Sequence, residues 1–268
     1  MTTFQSPHAI VIVGLGEMGE LFATGFLKAG YPVIPVLRDT DYSKLQSLTP
    51  TPSLVLIAVG EAQLDEVLTR LPHGWRRVTA LVQNELLPCH YRHHALIDPT
   101  IITVWFDKKK GRPSVSVLPS VISGPKASLI QQSLDQVGVP SRMVAEELQL
   151  FEMIRKNLYI LTINIAGIVS GGSVSHLWSS HRELLEGVAF DVLTVQEALV
   201  GETLPREALF KGMIEGFEGD PDHLCLGRSA PDRLRRVLIQ ARTLRLQTPT
   251  LDQVALTLKE PFIEDGPD

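Results

Sequence analysis

A run of β-branched residues ending in three spaced glycines leaves few folds open to this chain. The run is Ile10-Val11-Ile12-Val13-Gly14-Leu15-Gly16-Glu17-Met18-Gly19. No polar residue interrupts its first four positions, so they read as a short strand buried on both faces. The segment that follows, residues 20–29, is amphipathic and meets a helix-stop signal at Gly30. Strand, tight turn and helix are therefore predicted in succession, with glycines spaced G-x-G-x-x-G. Gly14 permits the sharp turn, Gly16 lets a pyrophosphate approach the backbone, and Gly19 lets the helix pack on the strand. Leu15, Glu17 and Met18 complete the phosphate-binding loop. The helix start adds amide donors and the positive end of a dipole.

A second strand is predicted at residues 31–37, with Pro32 and Pro35 marking it as an edge or irregular strand. It delivers Arg38 and Asp39 to its C-terminal end. An acid at this place in a dinucleotide fold binds ribose hydroxyls and signals NAD, whereas an arginine accommodates a 2′-phosphate and signals NADP. Arg38 comes first, directly after the apolar run, which favours NADP (NADPH) over NAD. The structural alternative is an Arg–Asp surface pair with no ligand.

The strand–helix alternation continues. Residues 53–59 read as a buried parallel strand, 61–71 as a helix, and 78–83 as a strand with Asn84 at its exit. Residues 100–106 and 114–118 read as an antiparallel pair around a tip at Lys108-Lys109-Lys110-Gly111. A helix is predicted to open at Gly124-Pro125 and a last strand to cover 141–145. After Glu146 the patterns are helical only, at 147–169, 181–200, 206–215, 232–244 and 251–259. The predicted fold class is α/β: a Rossmann-type dinucleotide-binding domain at 1–145, then an all-α domain at 146–268. Residues 1–7 read as a loose leader.

With 268 residues and a net charge of −5, the chain has room for a real core and no basic surplus for nucleic acid or an anionic membrane. Its two cysteines, Cys89 and Cys225, build no disulfide framework. His90, His93 and His94 crowd beside Cys89 with no second cluster at ligand spacing, so they read as solvated loop histidines and no metal is expected. The apolar run 9–13 is too short to span a bilayer, and a cytoplasmic protein is expected.

Four stretches make the chain similar to the ketopantoate reductase (2-dehydropantoate 2-reductase) family, within the group whose helical half resembles that of 6-phosphogluconate dehydrogenase. They are Gly14 to Gly19 with Arg38; Leu81-Val82-Gln83-Asn84; Thr103 through Ser123-Gly124-Pro125; and Arg155-Lys156 through Asn164. The resemblance implies an NADP-dependent reductase of a small 2-keto acid or related carbonyl compound. It implies that Gly14 to Gly19 hold the pyrophosphate and Arg38 the 2′-phosphate. It further implies that Asn84 lies beside the nicotinamide and the substrate, that Lys156 is the catalytic proton donor, and that Asn164 touches the substrate. Ile160, Val174 and Gly60 stand where the family usually carries polar residues, which bears on substrate identity more than on hydride transfer.

Lys156 enters a strongly apolar helix and shares a face with Ile160 and Asn164. A desolvated lysine there would have a lowered pKa suited to proton transfer. The structural alternative is an exposed lysine near a helix start, with Asn164 satisfied by a neighbouring helix. The altered polar positions motivate a second reading, a non-catalytic NADP(H)-binding sensor or partner-binding protein. A third is a reductase of an imine or amino-acid-derived substrate. A helix as apolar as 147–169 is buried either within the chain or across a homodimer.

Overall fold

The computed structural model describes residues 8–108 and 111–258. The predicted leader at 1–7, the Lys109-Lys110 part of the hairpin tip and the end of the last predicted helix at Lys259 lie outside the described residues. The chain divides into two compact units, one up to Met153 and one from Ile154.

The first unit runs β1 (Ile10–Val13), α1 (Glu17–Lys28), β2 (Val33–Val36), α2 (Tyr42–Leu48), β3 (Leu54–Ile57), α3 (Glu61–Arg70), β4 (Thr79–Leu81), β5 (Thr100–Thr103), β6 (Phe106–Asp107), β7 (Val115–Ser116), β8 (Ser120–Ser123), α4 (Ala127–Gln136) and β9 (Ser141–Met143). The main sheet has the order β2-β1-β3-β4-β5-β8-β9. Every neighbouring pair in it is parallel except β5 with β8. β2 is the edge, as its prolines require, with Pro35 paired to Ile12 on one side only.

Alternate residues of the central strands feed two cores. Ile10, Ile12, Leu54 and Leu56 pack with Phe22 and Phe26 of α1 and Ile130 and Leu134 of α4. Val11, Val13, Val55 and Ile57 pack on the other face with Leu64 and Leu68 of α3 and with Trp75. Apolar side chains on both faces explain why these strands read as unbroken hydrophobic runs. Gly25 brings α1 and α4 together, since a Cβ there would lie 2.2 Å from the Ser133 carbonyl oxygen.

The expected antiparallel pair is found only next to its tip, and its longer part is corrected. β6 and β7 form a separate two-stranded sheet, while β5 pairs with β8, a strand not anticipated. Its serines disguise it, but both are buried and bonded. Ser120 Oγ accepts from the Trp105 amide at 3.1 Å, and Ser123 Oγ from the Gln149 amide group at 2.9 Å. The helix expected to open at Gly124-Pro125 starts instead at Ala127. Gly124, at φ 107°, is held against β5, where a Cβ would meet the α-carbon of Thr100 at 2.8 Å.

α5 (Gln149–Ser170) runs from the first unit into the second, which continues with α6 (Val174–Ser180), α7 (Arg182–Val200), α8 (Arg206–Gly219), α9 (Ala230–Thr243) and α10 (Pro249–Ala255). Among the described residues, no helix is long and apolar enough to cross a membrane. Residues 152–167 of α5 are buried in the single chain except for half-buried Ile160. α7 holds the start of α10: the Asp191 carboxylate accepts from the Thr250 and Leu251 amides at 2.8 and 3.1 Å. This satisfies helix-start donors that nothing in the Pro249 turn supplies a partner for. Asp191→Ala is expected to cost about 2 kcal/mol, read as a lower denaturant midpoint at unchanged slope.

Candidate functional site

The C-terminal ends of β1, β2 and β3 open into a cleft of about 880 Å³, lined by Val13–Gly16, Val36–Asp39, Ala58–Gly60 and residues of α2 and α3. The strand order explains its position. The chain passes from β1 to β2 on one side and returns across β1 to β3 on the other, so the loops diverge at this point of the sheet.

Each glycine of the first turn has its own constraint. Gly14 has φ 91°, and a Cβ on it would lie 2.8 Å from the Ala58 carbonyl oxygen. Its amide donates to Val36 O at 3.0 Å, joining the ends of β1 and β2. A Cβ on Gly19 would lie only 2.0 Å from the Gly14 carbonyl oxygen, so α1 sits directly on the turn. A Cβ on Gly16 would meet nothing within 4 Å. Gly16 is also the N-cap of α1 and provides no side-chain hydrogen bond to the helix start. Open space before an uncapped helix terminus is the arrangement that accepts a phosphate group. Leu15, Glu17 and Met18 are half-buried around it.

Arg38 and Asp39 are exposed at the tip of a turn closed by reciprocal bonds between Leu37 and Thr40. Both line the cleft. The sequence reading missed a second guanidinium, Arg70 of α3, which also lines it. Arg70 stacks 5.1 Å from the Tyr42 ring centroid and pairs with Glu66 at 3.3 Å. Tyr42 lies on α2, whose Asp41 cap accepts from the Ser43 and Lys44 amides. That capping residue was the available signal for the helix.

Asn84 leaves β4 half-buried, with its backbone N–H donating to the Glu61 carboxylate at 3.1 Å. Its position is set by its neighbour. The buried Gln83 side chain donates to Ile57 O and Val59 O at 2.9 and 3.0 Å and accepts from the Val82 amide, binding the exit of β4 to that of β3. The histidines expected to be solvated include one that is not: His94 is buried, in a 3-10 turn at Arg92–His94.

In the helical unit, Lys156 is 7% exposed, correcting the alternative of a solvated lysine. Its Nζ lies 5.0 Å from the centroid of the Tyr159 ring. Burial pushes the Tyr159 phenol well above its ordinary pKa, so it stays a neutral ring beside the ammonium. Arg155 donates to Gly212 O at 2.9 Å and pairs with Glu215 at 2.8 Å, which fixes this turn of α5 on α8. Asn164 is engaged at both ends of its amide: Nδ2 donates to Cys225 O at 3.0 Å, and Oδ1 accepts from the buried Arg233 guanidinium. A Cβ on Gly227 would lie 2.9 Å from that same Oδ1.

No protein-family model matches the chain, and no curated protein matches it in sequence. Solved structures match it in fold. A dimeric ketopantoate reductase from Staphylococcus aureus superposes with TM-score 0.61 at 20% identity, over 92% of this chain and 95% of that one. The 2-dehydropantoate 2-reductase from Methylococcus capsulatus gives TM-score 0.66 at 14% identity, over 92% and 94%. D-mandelate dehydrogenase, in its ternary structure with NADH and anilino(oxo)acetate, gives 0.64 at 13%, over 93% and 96%. The chain has the ketopantoate reductase fold.

The resemblance read from the sequence thus holds at the level of fold. Within the ketopantoate reductase fold, Asn164 is bonded to α9 and to the chain before it. Asn164→Ala removes the acceptor for Arg233 and the donor to Cys225 O. The expected result is a loss of about 1–3 kcal/mol of stability, measured by denaturant unfolding, with dinucleotide affinity unchanged. Gly19→Ala is expected to abolish dinucleotide binding in titrations followed by cofactor fluorescence, because α1 cannot approach the turn.

Proposed function

We propose that the protein is a nicotinamide-dependent keto-acid reductase, a divergent member of the ketopantoate reductase family that prefers NADPH. One observation carries the reading: the turn Gly14 to Gly19, the uncapped start of α1 and the Arg38 side chain meet at one cleft of about 880 Å³. Residues 1–145 are the cofactor domain in this reading and 146–268 the substrate and dimerisation domain. Homodimerisation draws support from the neighbour described as a dimeric ketopantoate reductase.

The glycine turn would hold the pyrophosphate, with Leu15, Glu17 and Met18 shaping the loop. Arg38 would bind the 2′-phosphate, with Arg70 as a second cation on the same cleft. NADH remains the competing cofactor, because Asp39 lines the cleft beside Arg38 and D-mandelate dehydrogenase, of the same fold, is known with NADH. NADPH, when bound, supplies the hydride that a 2-keto acid takes at its carbonyl carbon. Lys156 donates the proton to the carbonyl oxygen, giving the hydroxy acid. Its buried ammonium, held over the Tyr159 ring, is the donor in this reading. Asn84 would orient the nicotinamide and the substrate. Asn164 would act on the substrate through its hold on the buried Arg233, a cation chemically suited to a carboxylate.

NADPH oxidation followed by absorbance against a panel of 2-keto acids is the direct test. Turnover with at least one of them supports the reading, and Lys156→Ala should lower that turnover by about 10²-fold or more at unchanged NADPH affinity. A Lys156→Ala protein with unaltered turnover refutes the assigned role. Arg38→Ala is expected to weaken NADPH by about tenfold or more and to leave NADH affinity unchanged; equal effects on both cofactors would assign Arg38 elsewhere. A non-catalytic NADP(H)-binding protein is the second reading, favoured by the apolar Ile160 and the structurally engaged Asn164. Tight NADPH binding without oxidation by any substrate would select it.

A further inference from the structure

Away from the glycine turn, two consecutive histidines and an aspartate from a separate helix converge on one point. Asp65 belongs to α3, and His93 and His94 close the 3-10 turn at Arg92–His94. His94 Nε2 lies 2.8 Å and His93 Nε2 3.2 Å from the same oxygen, Asp65 Oδ1. One ligand atom from each of the three residues lies within 4.8 Å of the other two. Ligand atoms bound at ~2.1 Å to one ion are separated by roughly 3.0–3.4 Å, and the two histidine–aspartate separations here are 3.2 and 2.8 Å. Two imidazoles and a carboxylate form a donor set suited to zinc and its neighbours in the first transition row.

The far side of His93 strengthens this reading. Its Nδ1 lies 3.1 Å from the Cys89 carbonyl oxygen, which can only accept, so that nitrogen carries the hydrogen. With Nδ1 engaged on the backbone, Nε2 is the ring nitrogen that faces the Asp65 carboxylate. A divalent cation placed between the two atoms would bond to both. Ring orientation through a backbone carbonyl at the other nitrogen is the usual support of a metal-bound histidine. Burial is graded across the cluster: the His94 side chain is 8% exposed and that of Asp65 78%. One ligand is anchored in the protein, and the opposite side is open to water.

We propose that Asp65, His93 and His94 bind one divalent transition-metal ion of the zinc class, with water completing its coordination. The ion would join α3 to the segment that leaves β4. α3 also contributes Gln63, Glu66 and Arg70 to the wall of the cleft, so the ion would brace that wall. The inference is independent of the reductase reading, since it rests on none of the residues assigned there.

The test is a titration of the full chain, first stripped with a chelator, with Zn²⁺ alone in competition with a chromophoric chelator. One equivalent is expected to bind the wild type. Asp65→Asn and His93→Gln should each weaken it by about tenfold or more, and His176→Gln, at a histidine of α6, should not. Co²⁺ in place of Zn²⁺ should give visible absorption bands in the wild type that both ligand variants lose. Asp65 and His93 are exposed, and circular dichroism checks that both variants fold. Absence of a bound equivalent in the wild type, or equal binding by the wild type and both ligand variants, overturns the proposal.

Discussion

The closeness of Gly19 to the Gly14 carbonyl is the constraint from which the first unit's fold around its cleft follows. A single methyl group there would lie 2.0 Å from that oxygen. Only with both glycines in place does α1 descend directly onto the end of β1. β1 then lies between β2 and β3, so one short turn sits where the sheet's connections separate. The cleft, the uncapped helix start and the placement of Arg38 are consequences of that geometry. The same turn is reinforced at its flanks by Gly14 on Val36 and by Gln83 across the exits of β3 and β4.

The helical half is governed by a different balance. α5 is buried nearly all round, yet it carries Arg155, Lys156, Asn157 and Asn164 into the interior. Burying such groups is costly unless each finds a partner. Arg155 finds Gly212 and Glu215, Asn164 finds Cys225 and Arg233, and Lys156 has the ring of Tyr159. These contacts make α5 the polar as well as the apolar axis of its unit. An ammonium held in such a frame has little conformational freedom left.

Strands with apolar residues on both faces were legible because their burial is written into local composition. β1 and β3 are found within one or two residues of their expected ends. β8 was not legible, since Ser120 and Ser123 look like loop residues until Trp105 and Gln149 supply their partners. α6, with the serine-rich sequence of Val174–Ser180, escaped for a similar reason, although Ser173 caps it through the His176 amide. His94 was misread as solvated because Asp65, which bonds it and His93, lies 28 positions before His93. Asn164 was placed on the correct helix and face, but nothing local announces that α9 takes up its amide.

By itself the sequence determined the order of the central strands and the long helices, the change to an all-helical half and the glycine turn, because periodicity, β-branching and missing side chains act over a few neighbouring residues. The tertiary structure alone decided that Arg70 joins Arg38 at the cleft, that Lys156 is buried against Tyr159, and that Asp65 meets His93 and His94. Most of those are contacts between residues distant in the chain. Their partners are set by sheet order and helix packing, and no local pattern encodes them.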